Sequence, residues 1–257
     1  MSRRYILWSC ILSFSLTYAY GQKQYAFEVT SIKPLPAPVQ ASSRVSPEEL
    51  HLESATLSSL IVMAYGLRLD TQIENLPDWA RTTTYVVEAK ADEQTVAEAK
   101  GLPNEERRHI FQAEIQSLVA DRFHLQVSHT SKVLPVYALT VARGGPILKP
   151  TSTESSSAKN GMNATIGFGS MNVTGGEMSW LANQLSWMRD AMDGRMVVDK
   201  TGLTGRYDWE LRWSRDPALD PGQPSLFTAL QEQLGLRLEP DKAAIDVVVI
   251  DHVEKPT

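Results

Sequence analysis

The chain has 257 residues, 42% of them hydrophobic and 21% charged, with a formal net charge of -5. This is a globular composition, long enough for one large domain or two small ones. The acidic balance, with no clustered basic stretch, argues against nucleic acid as a partner. The single cysteine, Cys10, rules out a disulfide framework or a site built from several thiolates.

The N-terminus reads as a leader. Ser2-Arg3-Arg4 is positively charged, Tyr5 to Tyr18 is apolar and uncharged, and Ala19-Tyr20-Gly21 fits a small-x-small cleavage pattern. Residues 1–21 are therefore expected to be a secretory signal peptide cleaved before Gln22. The apolar run is too short for a comfortable transmembrane span, so the mature chain is expected in the periplasm or outside the cell, with no membrane span after cleavage. Cys10 leaves with the signal, and export removes the chain from the ATP pool.

A first α+β half is predicted over residues 22–149. Tyr25 to Lys33 alternates like a strand, and Pro34, Pro36 and Pro38 end it. Leu50 and Leu52 flank His51 in a short strand. Leu57, Leu60, Ile61 and Ala64 fall on one helix face, with Gly66 near its end. A short strand follows over residues 71–75, then turn chemistry in Leu76-Pro-Asp-Trp79 and a strand from Tyr85 to Lys90. Asn104 is expected to cap a helix with Glu105 and Glu106 in its first turn and Phe111, Ile115, Leu118 and Val119 on its apolar side. Two strands, Phe123 to Val127 and Val136 to Ala142, close the half.

Residues 150–165 are rich in Ser, Thr and Asn and read as a linker or long loop. A second α+β half is predicted over residues 166–257. Met171, Val173, Met178 and Leu181 match Leu50, Leu52, Leu57 and Leu60 at a constant offset. A strand at Tyr207, a helix with Leu226, Phe227, Leu230 and Leu234, and strands at Leu236–Leu238 and Ile245–Val253 repeat the order of the first half. The expected fold is α+β in two similar halves produced by internal duplication, each with helices packed on a mostly antiparallel sheet.

Several strings imitate catalytic motifs. Asp199-Lys-Thr-Gly202 reads like the phosphorylated aspartate of ion pumps, but an exported chain has no ATP, and no long apolar run follows the signal. Ser156-Ser-Ala-Lys159, Ser170-Met-Asn172 and Lys200-Thr-Gly202 match the three motifs of penicillin-binding enzymes in order. Ser156, however, lies in a polar linker where the nucleophile must open a buried helix, and the motifs stand too close together for such a domain. In the alignment of the halves, Asp199 to Gly205 fills the slot occupied by Glu74 to Trp79. Asp199, Gly202 and Gly205 are thus expected to form a structural turn, the glycines supplying positive φ.

No catalytic, cofactor-binding or metal site is assigned. His124 and His129 are placed on one predicted strand facing opposite ways, and His51, His109 and His252 show no ligand spacing. Asp246, Asp251 and His252 lie near one another in sequence without a pattern that requires a metal. Asp208 and Glu210 share a strand face, as acids on an exposed strand commonly do. Trp180, Trp187, Trp209 and Trp213 cluster in sequence. Trp209 and Trp213 fall on one strand face with Leu211, and Trp180 and Trp187 on one helix face. They are either core packing or a partner surface.

Taken together, Phe27-Glu-Val-Thr-Ser-Ile-Lys-Pro34, Leu60-Ile-Val-Met-Ala-Tyr65, Leu76-Pro-Asp-Trp79, Leu118-Val-Ala-Asp-Arg-Phe-His-Leu125, Leu134-Pro-Val-Tyr-Ala-Leu139, Val198 to Tyr207 and Ala229 to Leu236 resemble one family. It is the soil-associated exported acidobacterial family, domain of unknown function 3738, and the resemblance covers nearly the whole mature chain. It implies no catalytic residue and no cofactor. In some relatives a similar domain follows a membrane metallopeptidase of the antibiotic-sensor type, which implies a sensing or interaction role. The element order also resembles the short N-terminal βαβ modules of secretins and TonB-dependent receptors. The sequence therefore favours a non-enzymatic binding or protein-interaction module of the envelope or exterior, with a protein or small ligand as partner. An envelope hydrolase with an unrecognised site and a modulator of a sensor peptidase are the alternatives.

Overall fold

A computed structural model of the chain describes residues 24–35, 42–46, 48–152, 161–215 and 222–256. The predicted signal, residues 1–21, lies outside them. Among the described residues the chain is a mixed α+β protein with six helices and three four-stranded, mostly antiparallel sheets.

The first sheet grows from alternation. In β3 (Glu49–Thr56) Leu50, Leu52 and Ala55 are buried, and in β5 (Thr84–Lys90) Tyr85, Val87 and Ala89 are. With β1 (Val29–Pro34) and β2 (Ser43–Val45) they form a sheet of order β1-β5-β3-β2, every pair antiparallel. Thr56 ends β3 and caps α1 (Leu57–Ala64), its side chain accepting from Ser59 N while Ser59 Oγ accepts from Thr56 N. Leu57, Leu60, Ile61 and Ala64 are fully buried, as their spacing predicts. Each of the larger three contributes roughly 1.5–3 kcal/mol of burial. The long helix α4 (Asn104–Phe123) covers the same core with Ile115, Leu118, Val119 and Phe123, the last edge-on to Tyr85 at 5.5 Å.

A second core gathers around a further sheet. β9 (Ser170–Gly176) leads into α5 (Met178–Trp187), followed by β10 (Met196–Asp199), β11 (Tyr207–Arg212) and α6 (Leu226–Leu234). Its sheet has the order β7-β11-β9-β8, with β7 (Lys149–Pro150) and β8 (Asn163–Gly167) as edges.

Between the cores run two long strands, β6 (Gln126–Val141) and β12 (Leu236–His252), paired antiparallel along nearly their whole length. β4 (Ile73–Glu74) adds to β12 in parallel, and β10 adds to β6 in parallel, so the third sheet has the order β10-β6-β12-β4. Val248 and Ile250 of β12 reach the first core. Tyr137 and Leu139 of β6, with Leu236 and Leu238 of β12, reach the second. Buried polar side chains tie the short strands down. Gln72 Nε2 donates to Asp246 O at 2.9 Å beside β4, and Ser186 Oγ accepts from Val197 N at 2.8 Å beside β10.

The structure corrects several local expectations. The predicted pairs Phe123–Val127 with Val136–Ala142, and Leu236–Leu238 with Ile245–Val253, are single strands. Their middles are largely polar and exposed and are held mainly by the ladder between them, with only Ala243 and Ile245 half-buried against Leu69, Val136 and Met196, so periodicity has little to register there. Pro240 is accommodated because β4 pairs with β12 only at Val248 and Val249, away from it. Leu76-Pro-Asp-Trp79 is no turn. Pro77 precedes a short helix, α2 (Asp78–Thr82). A further helix, α3 (Glu93–Ala99), has a cap the reading passed over, Asp92 Oδ1 accepting from Thr95 N at 2.9 Å. Asn104 lies inside α4, with Pro103 at its cap, and Phe123 ends that helix instead of starting a strand. His124 is the left-handed C-cap of α4 at φ 49°, not a strand residue. Within the predicted linker, Asn163–Thr165 belong to β8 and Pro150 to β7.

Candidate functional site

β8 and β9 form a hairpin whose two-residue turn is Phe168-Gly169. Gly169 has φ +71°, and a Cβ there would lie 2.5 Å from the carbonyl oxygen of Trp213. Trp213 N in turn donates to Gly169 O at 2.9 Å. Only glycine lets the hairpin tip close on the end of β11 in this way. The clamp leaves Phe168 pointing outward at 92% exposure.

Ile166 pairs with Met171 and so shares the face of the sheet that carries the core. Met171 is fully buried, yet Ile166 is 48% exposed. Here the C-terminal end of α5 supplies Trp187, 55% exposed, and the N-terminal end of α6 supplies Phe227, 37% exposed. Together they line an open cleft of about 950 Å³ floored by the buried side chains of Trp213 and Leu226. The uncovered end of the second core is thus an apolar cleft with four large side chains held open to solvent.

The rim is polar. The Arg215 guanidinium lies 5.1 Å from the Phe168 ring centre, within cation–π range. Arg189 is held by Asp70 at 2.8 Å. Behind the cleft, Phe227 stacks edge-on against Tyr137 at 5.5 Å, and the Tyr137 hydroxyl donates to Asp193 at 3.2 Å. These contacts support apolar side chains, and Asp190, Ser214 and Ser225 are the other polar residues of the lining.

The four tryptophans separate. Trp187 and Trp213 meet at the cleft as wall and floor. Trp209 is buried with Leu211 in the second core, and the half-buried Trp180 packs on it with ring centres 6.2 Å apart. The sequence reading missed Ile166, Phe168 and Phe227 as surface residues. The available signal was Gly167-Phe-Gly-Ser170, an aromatic residue set in a turn.

Asp199 ends β10. Its Oδ1 accepts from Thr201 N at 2.9 Å and Thr201 Oγ1 at 2.8 Å, and Thr201 Oγ1 accepts from Leu203 N. Gly202 and Gly205 follow at φ +68° and +107°. Lys200 Nζ donates to Asp241 at 2.6 Å, and this bond holds the Asp241 carboxyl below its usual range. Asp199→Asn keeps the accepting oxygen and is expected to change the unfolding free energy, measured in urea, by less than about 1 kcal/mol. Gly202→Val or Gly205→Val is expected to cost about 1–3 kcal/mol through positive φ. A larger loss from the asparagine than from the valines would refute a structural role for this segment.

The carboxylates Asp208 and Glu210 are engaged separately. Asp208 Oδ1 accepts from Thr151 Oγ1 and Gly175 N, at 2.7 and 2.8 Å, beside an irregularity in the β9–β11 ladder. Glu210 pairs with Arg212 at 2.6 Å. His51 lies between Glu53 and Glu88, His129 against Tyr65, and His252 beside Glu254. Asp251 accepts from Ser128 Oγ at 3.1 Å. Among the described residues no three His, Cys, Asp or Glu side chains converge as a metal site, and no helix is long and apolar enough to cross a membrane.

Fold and site define a mixed α+β protein built on two cores joined by a long two-stranded ribbon, with an aromatic cleft at the open end of the second core. The chain belongs to the family described as Protein of unknown function (DUF3738), whose model matches residues 58–253. No curated protein and no solved structure matches it.

Proposed function

We propose that this is an exported, non-enzymatic binding protein of the cell envelope or exterior, and that the cleft at Phe168 receives an apolar part of its partner. The observation that carries this is the convergence of Ile166, Phe168, Trp187 and Phe227, all exposed, from a hairpin and two helix ends onto one concavity. Large apolar side chains exposed together are the usual mark of an interaction site, and aromatic ones dominate binding energy when a partner buries them. A concave apolar floor with a polar rim also fits a ligand held by shape more than by charge.

An internal duplication accounts for the architecture. The order strand-helix-strand-strand-helix-strand runs from β3 to β6 and again from β9 to β12, α2 and α3 being additions to the first copy. The middle sheet is symmetric in the same sense, each copy lending its short strand to the long strand of the other.

The test compares the wild-type chain with the double variant Phe168→Ser, Trp187→Ser in capture from envelope fractions. Both positions are exposed, so unfolding midpoints should agree within about 0.5 kcal/mol. The expected result is a partner retained by the wild type and lost by the variant. If that partner is a membrane metallopeptidase, the role is modulation of a sensor. Retention by both proteins would defeat the cleft assignment. Hydrolytic turnover by the wild type, abolished by one carboxylate substitution such as Asp208→Asn, would defeat the non-enzymatic reading.

A further inference from the structure

An edge strand exposes unpaired backbone donors and acceptors, and proteins normally guard it with charge or proline. Among the described residues six strands lie at the edges of the three sheets. β1 carries Lys33 and Pro34, β2 Arg44, β4 Glu74, β7 Lys149 and Pro150, and β10 Asp199. β8, Asn163-Ala-Thr-Ile-Gly167, has neither a charge nor a proline, and its ladder with β9 runs without a register shift. The unguarded edge is the one that borders the aromatic cleft.

The free backbone groups of this edge can be placed. Gly167 and Ser170 close the two-residue turn as a pair, so alternation in an antiparallel ladder turns the amides and carbonyls of Ala164 and Ile166 away from β9. A strand laid along β8 would bond to those two residues. Its alternate side chains would fall on the face of Ile166, toward the cleft. Arg215, a cation of the cleft lining, has no carboxylate ion pair among the described residues, and its guanidinium rests on the Phe168 ring.

We infer that β8 is a strand-addition site: an extended peptide segment of a partner protein, with alternating apolar side chains and an acidic residue, adds a fifth strand to the β7-β11-β9-β8 sheet. Its backbone pairs with Ala164 and Ile166, its apolar side chains enter the cleft, and its carboxylate meets Arg215. This rests on the reading of the cleft as a binding surface and specifies what occupies it. Main-chain bonds supply affinity in such complexes, and the pockets supply selectivity.

The probe is a short synthetic peptide, amidated at its C-terminus, that alternates threonine with valine and phenylalanine and ends in aspartate. Two derivatives are N-methylated, one at the apolar residues and one at the threonines, each losing the amides on one side of the strand. The full chain is titrated while tryptophan emission, to which the cleft contributes Trp187 and Trp213, and the exchange of the Ala164 and Ile166 amides are followed. The parent peptide should shift the emission and slow both amides. One derivative should bind about tenfold or more weaker and the other nearly as well as the parent, because only one side of the added strand faces β8. Arg215→Gln should weaken the parent and leave a peptide ending in asparagine unaffected. Equal binding by all three peptides, lost on Phe168→Ser, would keep the cleft as a binding surface and overturn strand addition. Equal loss by both derivatives, or a parent peptide that changes neither signal, overturns strand addition as well and leaves the envelope capture to judge the cleft. Slowing of the two amides with protein concentration alone would show that the edge pairs with a second copy, which also overturns it.

Discussion

Gly235→Ala is expected to destabilise the protein more than any other single methyl addition at a turn, by on the order of 3 kcal/mol or more. Gly235 caps the end of α6 in the left-handed region at φ +65°, where its N–H donates to the carbonyls of Leu230 and Gln231 and the chain passes into β12. Part of the cost, about 1–2 kcal/mol, is that of placing an alanine at this φ. The remainder is steric. A Cβ would fall on the carbonyl oxygen of Gly145 and within 2.9 Å of Ile147 N. Neither is the yielding end of a side chain, because backbone bonds hold this loop at both ends. Ala142 N donates to Gly235 O and Ile147 N to Leu234 O, each at 2.8 Å. Gly202 provides the control, with nearly the same φ, +68°, and no atom within 4 Å of its Cβ position. Denaturation of Gly202→Ala should show the dihedral cost alone. If the two alanine variants lose equal stability, the loop does not press on Gly235.

The second large effect concerns Glu114, which lies on the buried side of α4 at 1% exposure, with no hydrogen-bond partner for Oε1 among the described residues. Burial, aided by the negative charge of Asp92, pushes its pKa up to about 7. Asp92 remains ionised at neutral pH because Thr95 donates to it through both side chain and backbone, which lowers its pKa. The sign follows from proton linkage. The unfolded chain releases the Glu114 proton near pH 4.5 and the folded chain only near 7, so the folded state binds more protons between those values. Stability from this group is full below about pH 4.5 and is lost as pH rises through 7, by roughly 3 kcal/mol in all. Glu114→Gln keeps the shape and cannot ionise. It is expected to match the wild type at pH 5 within about 1 kcal/mol and to exceed it at pH 8 by about 1–3 kcal/mol. Urea unfolding of both proteins from pH 5 to 8 tests this. Parallel stability profiles would show that Glu114 is not the titrating group.

The cleft connects fold to function through the ends of elements, not their middles. α5 is an ordinary amphipathic helix over Met178, Leu181, Ala182 and Leu185, and its last residue, Trp187, has no sheet beneath it to pack on. Phe227, one residue past the buried Leu226 at the start of the other helix, rests edge-on against Tyr137 and leaves its outer side open. The heptad-like spacing of Trp180 and Trp187 suggested one shared face, but the structure gives them different neighbours, Trp209 for one and the cleft for the other. Assigning either tryptophan required knowing where the β8–β9 hairpin stops.

What the residues settle by themselves is local. The positions of Leu57, Leu60, Ile61 and Ala64 define the buried face of α1, because contacts three and four residues apart are enough to face a helix. Alternation does the same for β5, and Asp199 with its two glycines for the segment leading to β11. What belongs to tertiary structure is non-local. The middles of β6 and β12 are largely polar and carry no long apolar period; they are strands because the backbone of each pairs with the other along one edge, between segments far apart in sequence. The exposure of Phe168, and the open edge of β8 beside it, depend on how far two helices reach over a sheet that neither adjoins in sequence at that point. Side-chain spacing records the forces within one element, whereas a cleft is made where elements fail to cover one another, and that is a property of their placement alone.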